Sequence, residues 1–330
     1  MRITVDHNLE ERVIKQIVID ADIEGRSDKG KIDFKQLKAG GIIKQRQKDK
    51  FTVRLKCPGG MMPLKNLEKV VEVAGKFGGK EVHFTTRQSL EIPYVDFHDF
   101  DPMIRELKSV GQEVASCGPR VRVPAACGGC SYNPNGLTDT QKMAKTVDKK
   151  FFGRQMNHKV KVSFSGCPAD CIHTNTADIG FQGAVFPSWD EENCTGCTIC
   201  ASACIEDAII PDPVTGKPGF DADKCLYCSD CVRACPTNSW KAEKTGHLAR
   251  VGGKHGRHPL SGEVVAKFLT DEEAVDLIDA TLDWYKWNGE GKGRVRLGVL
   301  LREDGAMEDY MQNLEDWLGP EKLVKGALAP

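Results

Sequence analysis

Two runs of cysteine carry the most specific chemistry in the sequence. Cys194, Cys197, Cys200 and Cys204 recur thirty-one residues on as Cys225, Cys228, Cys231 and Cys235. A 4Fe-4S core needs four thiolates, and Cys-x2-Cys-x2-Cys supplies three from one tight loop. In two-cluster ferredoxins the fourth cysteine of each run ligates the other cluster. The spacing therefore assigns Cys194, Cys197, Cys200 and Cys235 to one cluster and Cys225, Cys228, Cys231 and Cys204 to a second. Pro236 follows Cys235 as this pattern expects, whereas Ile205 stands after Cys204. Zinc favours two separated Cys-x2-Cys pairs around a tetrahedral ion, and two four-cysteine runs fit that poorly. Such a segment says that electrons pass, and leaves the reaction to other residues.

A second constellation lies upstream, in Cys57, Cys117, Cys127, Cys130, Cys167 and Cys171. Cys127-x2-Cys130 and Cys167-x3-Cys171 offer four thiolates to a third centre, and spacing alone leaves both an iron-sulfur cluster and zinc open. Cys57 reads as a small apolar core residue. Basic residues recur nearby in sequence, and each has an ordinary competitor. Lys159, Val160 and Lys161 alternate as in a strand with one solvated face, and the histidines of the loop from Lys254 to His258 sit among glycines that suit solvent.

The elements that must hold these groups read as α+β. Phe51 to Cys57 has strand character, and Leu67, Val70, Val71, Ala74 and Phe77 share one helical face that ends at Gly78-Gly79. Strands are expected over 82–86 and 89–95, and a helix carrying Ile104, Leu107 and Val110 after Asp101-Pro102. Further on, the pattern predicts a helix near 138–152, strands over 159–165 and 179–186, helices near 271–287 and 306–318, and a strand near 294–300. The division expected is an N-terminal arm at 1–40, an α+β half-domain at 41–115, a larger unit at 116–188 and 242–330, and an inserted cysteine module at 189–241.

The chain has 330 residues, enough for two or three stable cores. Its 46 basic and 47 acidic residues leave a formal charge of -1, which argues against a broad nucleic-acid footprint. No apolar run approaches a membrane span. The first twenty residues include Asp6, Glu10, Glu11 and Asp20 and show no secretory signal. A cytoplasmic location is expected, where fourteen cysteines serve metals or catalysis before disulfides.

Several words along the chain together resemble the siroheme sulfite and nitrite reductases. Phe164-Ser165-Gly166-Cys167-Pro168-Ala169-Asp170-Cys171, followed by Asp178-Ile179-Gly180-Phe181-Gln182-Gly183, is similar to their siroheme-binding region. Arg54-Leu55-Lys56-Cys57-Pro58-Gly59-Gly60 resembles the family's basic strand and turn. Thr85-Thr86-Arg87-Gln88 and Cys117-Gly118-x-x-x-Arg122 resemble two further motifs. The ferredoxin-like pair after the Gly-Phe-Gln-Gly strand points to the dissimilatory and anaerobic branch, and within it to the C subunits of anaerobic sulfite reductases.

That resemblance implies a ferredoxin-like half plus a siroheme-binding α+β domain, and a siroheme whose iron is bridged to a 4Fe-4S cluster through Cys171. The cluster's remaining ligands would be Cys127, Cys130 and Cys167. Related reductases place five residues between the first two ligands, but the residue six after Cys127 is Asn133, so Cys130 is the expected replacement and Cys117 the alternative. Arg54, Arg122, Lys159 and Lys161 match positions that hold and protonate the substrate anion, with Lys56 as a further possibility. Arg87 matches a position for siroheme carboxylates, and Lys254, His255 and Arg257 are expected to assist it. The implied totals are one siroheme and three 4Fe-4S clusters.

The implied reaction is six-electron reduction of sulfite to sulfide, with electrons entering through the ferredoxin-like segment. Nitrite reduction to ammonia is the close alternative, and a non-catalytic electron carrier the distant one. No glycine fingerprint for a nicotinamide or flavin is evident, so a donor protein or subunit is expected. One set of siroheme motifs in a family of paired halves also leads us to expect a homo-oligomer or heteromer.

Overall fold

The computed structural model describes residues 34–324, which divide into two compact units. The first contains residues 34–125, 144–162 and 285–297, and the second 126–143, 163–284 and 298–324. The N-terminal arm expected at 1–40 falls, over 1–33, outside the described residues.

The first unit opens with helix α1 (Phe34–Ala39), strands β1 (Ile42–Lys44) and β2 (Lys50–Arg54), helix α2 (Leu64–Phe77), strands β3 (His83–Phe84) and β4 (Leu90–Asp96), and helix α3 (Phe100–Lys108). The strands form an antiparallel sheet in the order β1-β2-β4-β3. Residues alternate faces along a strand, and Phe51, Val53 and Leu55 accordingly go inward while Arg54 stays half-buried on the other face. On α2 the inward residues are Val70, Val73 and Ala74, and Val71, expected on that face, is 61% exposed. Helix α3 begins before Asp101-Pro102, with Pro102 in the first turn, where a missing N–H costs nothing. Leu37 of α1 is buried in the same core, so 34–39 belongs to this unit.

The second unit is built on a five-stranded sheet. Its first three strands are β5 (Ala125–Ala126), β6 (Val162–Ser165) and β7 (Ile179–Trp189), and helix α4 (Thr140–Phe151), most of which belongs to the first unit, comes between β5 and β6 in the chain. The cysteine-rich segment follows β7. It holds helix α5 (Ile199–Ala203), strands β8 (Ile209–Pro211) and β9 (Pro218–Phe220), and helix α6 (Asp230–Ala234). Strands β10 (Trp240–Val251) and β11 (Glu263–Leu269) then finish the sheet in the order β11-β10-β7-β6-β5. β7 and β10 are antiparallel neighbours with Trp189 opposite Trp240. The chain thus leaves the sheet at one tryptophan and returns at the other, and residues 190–239 connect two strands of one long hairpin.

Helices α7 (Asp271–Asn288), α8 (Leu297–Leu300) and α9 (Ala306–Leu318) close the chain. The strand expected near 294–300 is corrected, because α8 occupies its end. Leu297, Leu300 and Leu301 are buried and Val299 is 40% exposed, which is helical periodicity. The sequence pattern assigns nothing to β10 and β11. Lys241, Glu243 and Lys244 make the first half of β10 look like a solvated loop, and pairing to β7 makes it a strand, while β11 pairs with the second half from His247 to Val251. Among the described residues no helix is long and apolar enough to cross a membrane.

Candidate metal centres and anion site

The two cysteine runs fold alike. Cys197 is followed by Thr198 at φ 62°, which opens α5, and Cys228 by Ser229 at φ 69°, which opens α6. Both residues take the left-handed conformation, uncommon outside glycine, and turn the loop sharply into a short helix. Each helix carries the third cysteine of its run, Cys200 or Cys231, each 8% exposed, and ends on the fourth, Cys204 or Cys235.

Two cavities lie between these runs. One is lined by Cys204, Cys225, Cys228 and Cys231, and the other by Cys194, Cys197, Cys200 and Cys235. Each cavity thus has three cysteines from one run and the last cysteine of the other. Burial pushes the Cys228 thiol up to about 11 and that of Cys231 to about 12. Such thiols bind metal only on losing their protons, and a metal cation would offset the thiolate charge that burial disfavours. Among the described residues no three His, Cys, Asp or Glu side chains are grouped to hold one metal ion. Four sulfurs on the wall of one cavity match the ligand count of a 4Fe-4S core.

The upstream cysteines of the second unit are shaped by backbone. Cys127 Sγ accepts the N–H of Gly166 at 3.1 Å and of Gly129 at 3.4 Å, and its carbonyl accepts Thr140 Oγ1 at 2.7 Å and Gln141 Nε2 at 2.9 Å. N–H groups aimed at sulfur are contacts that a metal-bound cysteine can accept. Gly166 must be glycine, because a Cβ there would lie 2.7 Å from Gly129 Cα. Burial raises the Cys167 thiol, and Cys127 and Cys171 are close enough to add to the shift. Asp170 accepts the N–H of Thr174 at 2.8 Å and of Asn175 at 3.4 Å, closing the turn that presents exposed Cys171. Cys130 is exposed in the loop after Cys127, with its N–H on Thr138 O at 3.0 Å.

Against this turn lies the segment with Lys254, His255 and Arg257. Lys254 and Leu260 exchange backbone hydrogen bonds of 2.9 and 2.8 Å, and Gly262 N–H donates to Asn175 O at 2.7 Å. His255 Nε2 meets Thr176 Oγ1 at 2.5 Å. The loop thus buttresses the turn after Cys171, with Arg257 and His258 exposed at its tip.

The first unit gathers the cations. Register places Arg54 opposite Glu91 on neighbouring strands. Arg54 Nε donates to Glu91 Oε1 at 2.7 Å, Arg54 Nη2 donates to the same oxygen, and Nη1 reaches Cys117 Sγ at 3.0 Å. Cys117, the alternative cluster ligand, is therefore engaged by arginine within the first unit, whereas Cys127, Cys167 and Cys171 belong to the second. Arg122 is fixed by its Nη1 on Ser116 O and Nη2 on Gly118 O, both 3.0 Å. Its Nε is buried without a hydrogen-bond partner among the described residues. Burial lowers the pKa of Arg122, and Arg54 and Arg296 lower it further, against the opposing pull of Cys117.

His158 completes the cluster. Its Nδ1 accepts the Lys159 N–H at 2.7 Å, and its pKa falls to about 4 through burial and then the charges of Arg296, Arg294, Lys159 and Arg122. The bridge between Val121 and Val160 aligns the Arg122 and Lys159–Lys161 segments, and Lys161 stands half-buried just beyond. Arg87 is half-buried and donates to Val123 O at 2.7 Å. Lys56 is held by Asp148 at 3.0 Å and Glu113 at 2.6 Å, and its ammonium lies over Phe152. Sequence reasoning missed Glu91, His158, Arg294 and Arg296. Arg294-Val295-Arg296 stands 135 positions or more from its partners, and no local signal links them.

Cations held this close repel one another, and an orphaned arginine N–H among them fits an anionic group. The second unit's thiolate donors and the first unit's cations thus suit an iron-sulfur cluster and an anionic cofactor or substrate respectively.

Residues 43–110 match the nitrite/sulfite reductase ferredoxin-like half domain, and residues 117–319 match the nitrite and sulphite reductase 4Fe-4S domain. The coenzyme F420-dependent sulfite reductase of Methanocaldococcus jannaschii is 34% identical across 81% of this chain, which spans 42% of that relative's length. One subunit of the anaerobic sulfite reductase of Salmonella typhimurium is 28% identical, with 86% of this chain and 92% of that one covered. Among solved structures, dissimilatory sulfite reductase I superposes with a TM-score of 0.70 at 18% identity, covering 97% of this chain and 83% of that one. The mixed α+β fold with its ferredoxin-like half domain is that of these enzymes, and the chain belongs to the nitrite and sulphite reductase family.

Proposed function

We propose that the chain reduces sulfite to sulfide in a six-electron reaction that depends on siroheme and 4Fe-4S clusters. The observation that carries this reading is the cation cluster of Arg54, Arg122, Lys159, Arg294 and Arg296 around a neutral His158, in a chain of this family. Arg87 and the Lys254–Arg257 loop are the residues we assign to siroheme carboxylates, and Cys127, Cys130, Cys167 and Cys171 those we assign to the coupled cluster. Siroheme, when bound, supplies an iron that can hold and reduce the central atom of an oxyanion.

The chain's own residues do the rest of the work at the anion. Arg122 and Lys159 hold it by charge, and the ammonium groups of Lys159 and Lys161 supply protons to oxygens that leave as water. Donors fixed before substrate arrives lower a barrier without reorganising, and the bridge between Val121 and Val160 that aligns the Arg122 and Lys159–Lys161 segments supports this reading. We assign Cys194, Cys197, Cys200 and Cys235, and Cys204, Cys225, Cys228 and Cys231, to two further clusters through which electrons enter. The supporting geometry is the pair of cavities with those two cysteine sets on their walls. A donor protein is proposed too, since the Salmonella relative is itself one subunit of a larger reductase.

Anaerobically purified protein tests this directly. Siroheme absorbance, about thirteen iron atoms per chain from three clusters and one haem iron, and sulfite turnover with an artificial reductant are expected. About eight iron atoms with no haem absorbance would leave an electron carrier, and faster turnover of nitrite than of sulfite would reassign the substrate.

A further inference from the structure

We propose that Glu91 is the positioning residue for Arg54, taking its Nε and Nη2 so that Nη1 turns to the side of Cys117 and Arg122, where the proposed anion site lies. The proposal rests on the anion-site reading and adds a residue that makes no contact with the anion itself.

The geometry is specific. Arg54 and Glu91 are register partners on β2 and β4, so their side chains leave the same face of the sheet. Arg54 Nε donates to Glu91 Oε1 at 2.7 Å and Nη2 donates to the same atom. Two donors of a planar group converging on one oxygen set how the guanidinium is turned within its own plane, which an ammonium could not reproduce. The third nitrogen, Nη1, points to Cys117 Sγ at 3.0 Å, on the side where Arg122 is near enough to be affected by Arg54.

The carboxylate is itself held. Its second oxygen, Oε2, meets His83 Nδ1 at 3.0 Å, and the residue is only 8% exposed. Both oxygens are therefore committed, one to Arg54 and one to His83. The strand motif points to Arg54 in the sequence, but nothing there points to Glu91, which lies thirty-seven positions on in an ordinary strand pattern.

A positioning role predicts coupling. Glu91→Gln keeps the shape and removes the charge that gathers Nε and Nη2. It is expected to raise the KM for sulfite or lower kcat about ten-fold, the scale of one lost charge-assisted hydrogen bond. The test is a double-mutant cycle in the holoenzyme with Arg54→Ala, measured with sulfite and an artificial reductant, alongside thermal unfolding. Glu91→Gln should have little further effect once Arg54 is absent, and Glu91→Asp should retain part of the activity in the presence of Arg54. Equal losses in both backgrounds would overturn the proposal, because Glu91 would then act on its own. Arg54→Ala with undiminished turnover would instead remove Arg54 from the anion site, and the proposal with it.

Discussion

The second unit keeps eight cysteines between Cys194 and Cys235, two copies of one loop-and-helix pattern. The first unit gathers Arg54, Arg122, His158, Lys159, Arg294 and Arg296 from four separate stretches of chain. A cluster's ligands must surround one rigid core, and short spacings achieve that locally. An anion site needs only charge density in one place, and tertiary packing supplies it from any distance. Ligand sets are therefore written into spacing, whereas the cation set exists only after the sheet has formed.

The comparison breaks most sharply at the cysteines. If each cavity holds one cluster, Cys204→Ser and Cys231→Ser remove the same cluster although they belong to different runs. Each single variant and the double should lose about four iron atoms, whereas Cys204→Ser combined with Cys235→Ser should lose about eight. Iron analysis with spectra of the reduced protein decides it. Equal losses from the two double variants would mean that the runs do not cross.

In the first unit the largest effect is expected at Arg122, whose Nε is buried and unpartnered among the described residues. Arg122→Ala should cost about 100-fold to 1000-fold in sulfite turnover, the usual range for one lost anion-stabilising donor, with the cysteine-bound iron retained. Steady-state rates beside iron content check this. Loss of iron in step with activity would show that the two regions are not separable.

The contrast also explains what could be read in advance. The helix at 64–77 is legible from the periodicity of Leu67, Val70, Ala74 and Phe77, and helices are found at 140–151, 271–288 and 306–318 near their expected bounds. β10 is not legible, because its charged first half becomes a strand only through pairing with β7. Arg54, Arg122 and Lys159 were reached through motif resemblance, while His158 lay beside a found residue and stayed hidden, since nothing in the sequence places Arg294 and Arg296 next to it. The carboxylate beside Lys56 stayed hidden likewise, as Asp148 stands ninety-two positions away.

The second unit has a long-range network of its own, and it should matter to stability more than to redox chemistry. His247, 1% exposed, meets Asp271 Oδ1 at 3.0 Å through Nε2, and Lys142 Nζ reaches Asp271 Oδ2 at 2.6 Å. The His247 hydrogen bond and Lys142 hold the Asp271 carboxyl at about 2. Its contribution is present above the unfolded carboxylate value near 3.9 and is lost as pH falls toward about 2. Asp271→Asn should destabilise the protein by about 1–3 kcal/mol at neutral pH, read by denaturant unfolding. An unchanged midpoint would show that the buried histidine needs no carboxylate.

The smallest effect is a matter of sign, and it separates the two regions by pH alone. His158 has its pKa lowered to about 4, so the folded first unit disfavours its protonation. An unfolded histidine protonates near 6.5, and the unfolded state therefore binds more protons between about 6.5 and 4. Stability must fall as pH drops through that window, well before the carboxylate of Asp271 begins to titrate. The slope is expected to be shallow, because the ring is only half-buried and solvent screens part of the repulsion from its four cationic neighbours. His158→Gln, which cannot titrate, should flatten the stability profile between about pH 6.5 and 4 and leave the lower limb belonging to Asp271 in place. Urea unfolding at a series of pH values makes the measurement. A variant profile that still declines across the upper window would assign that decline to other groups, and the cations would then not be crowding His158 as the first unit's geometry requires.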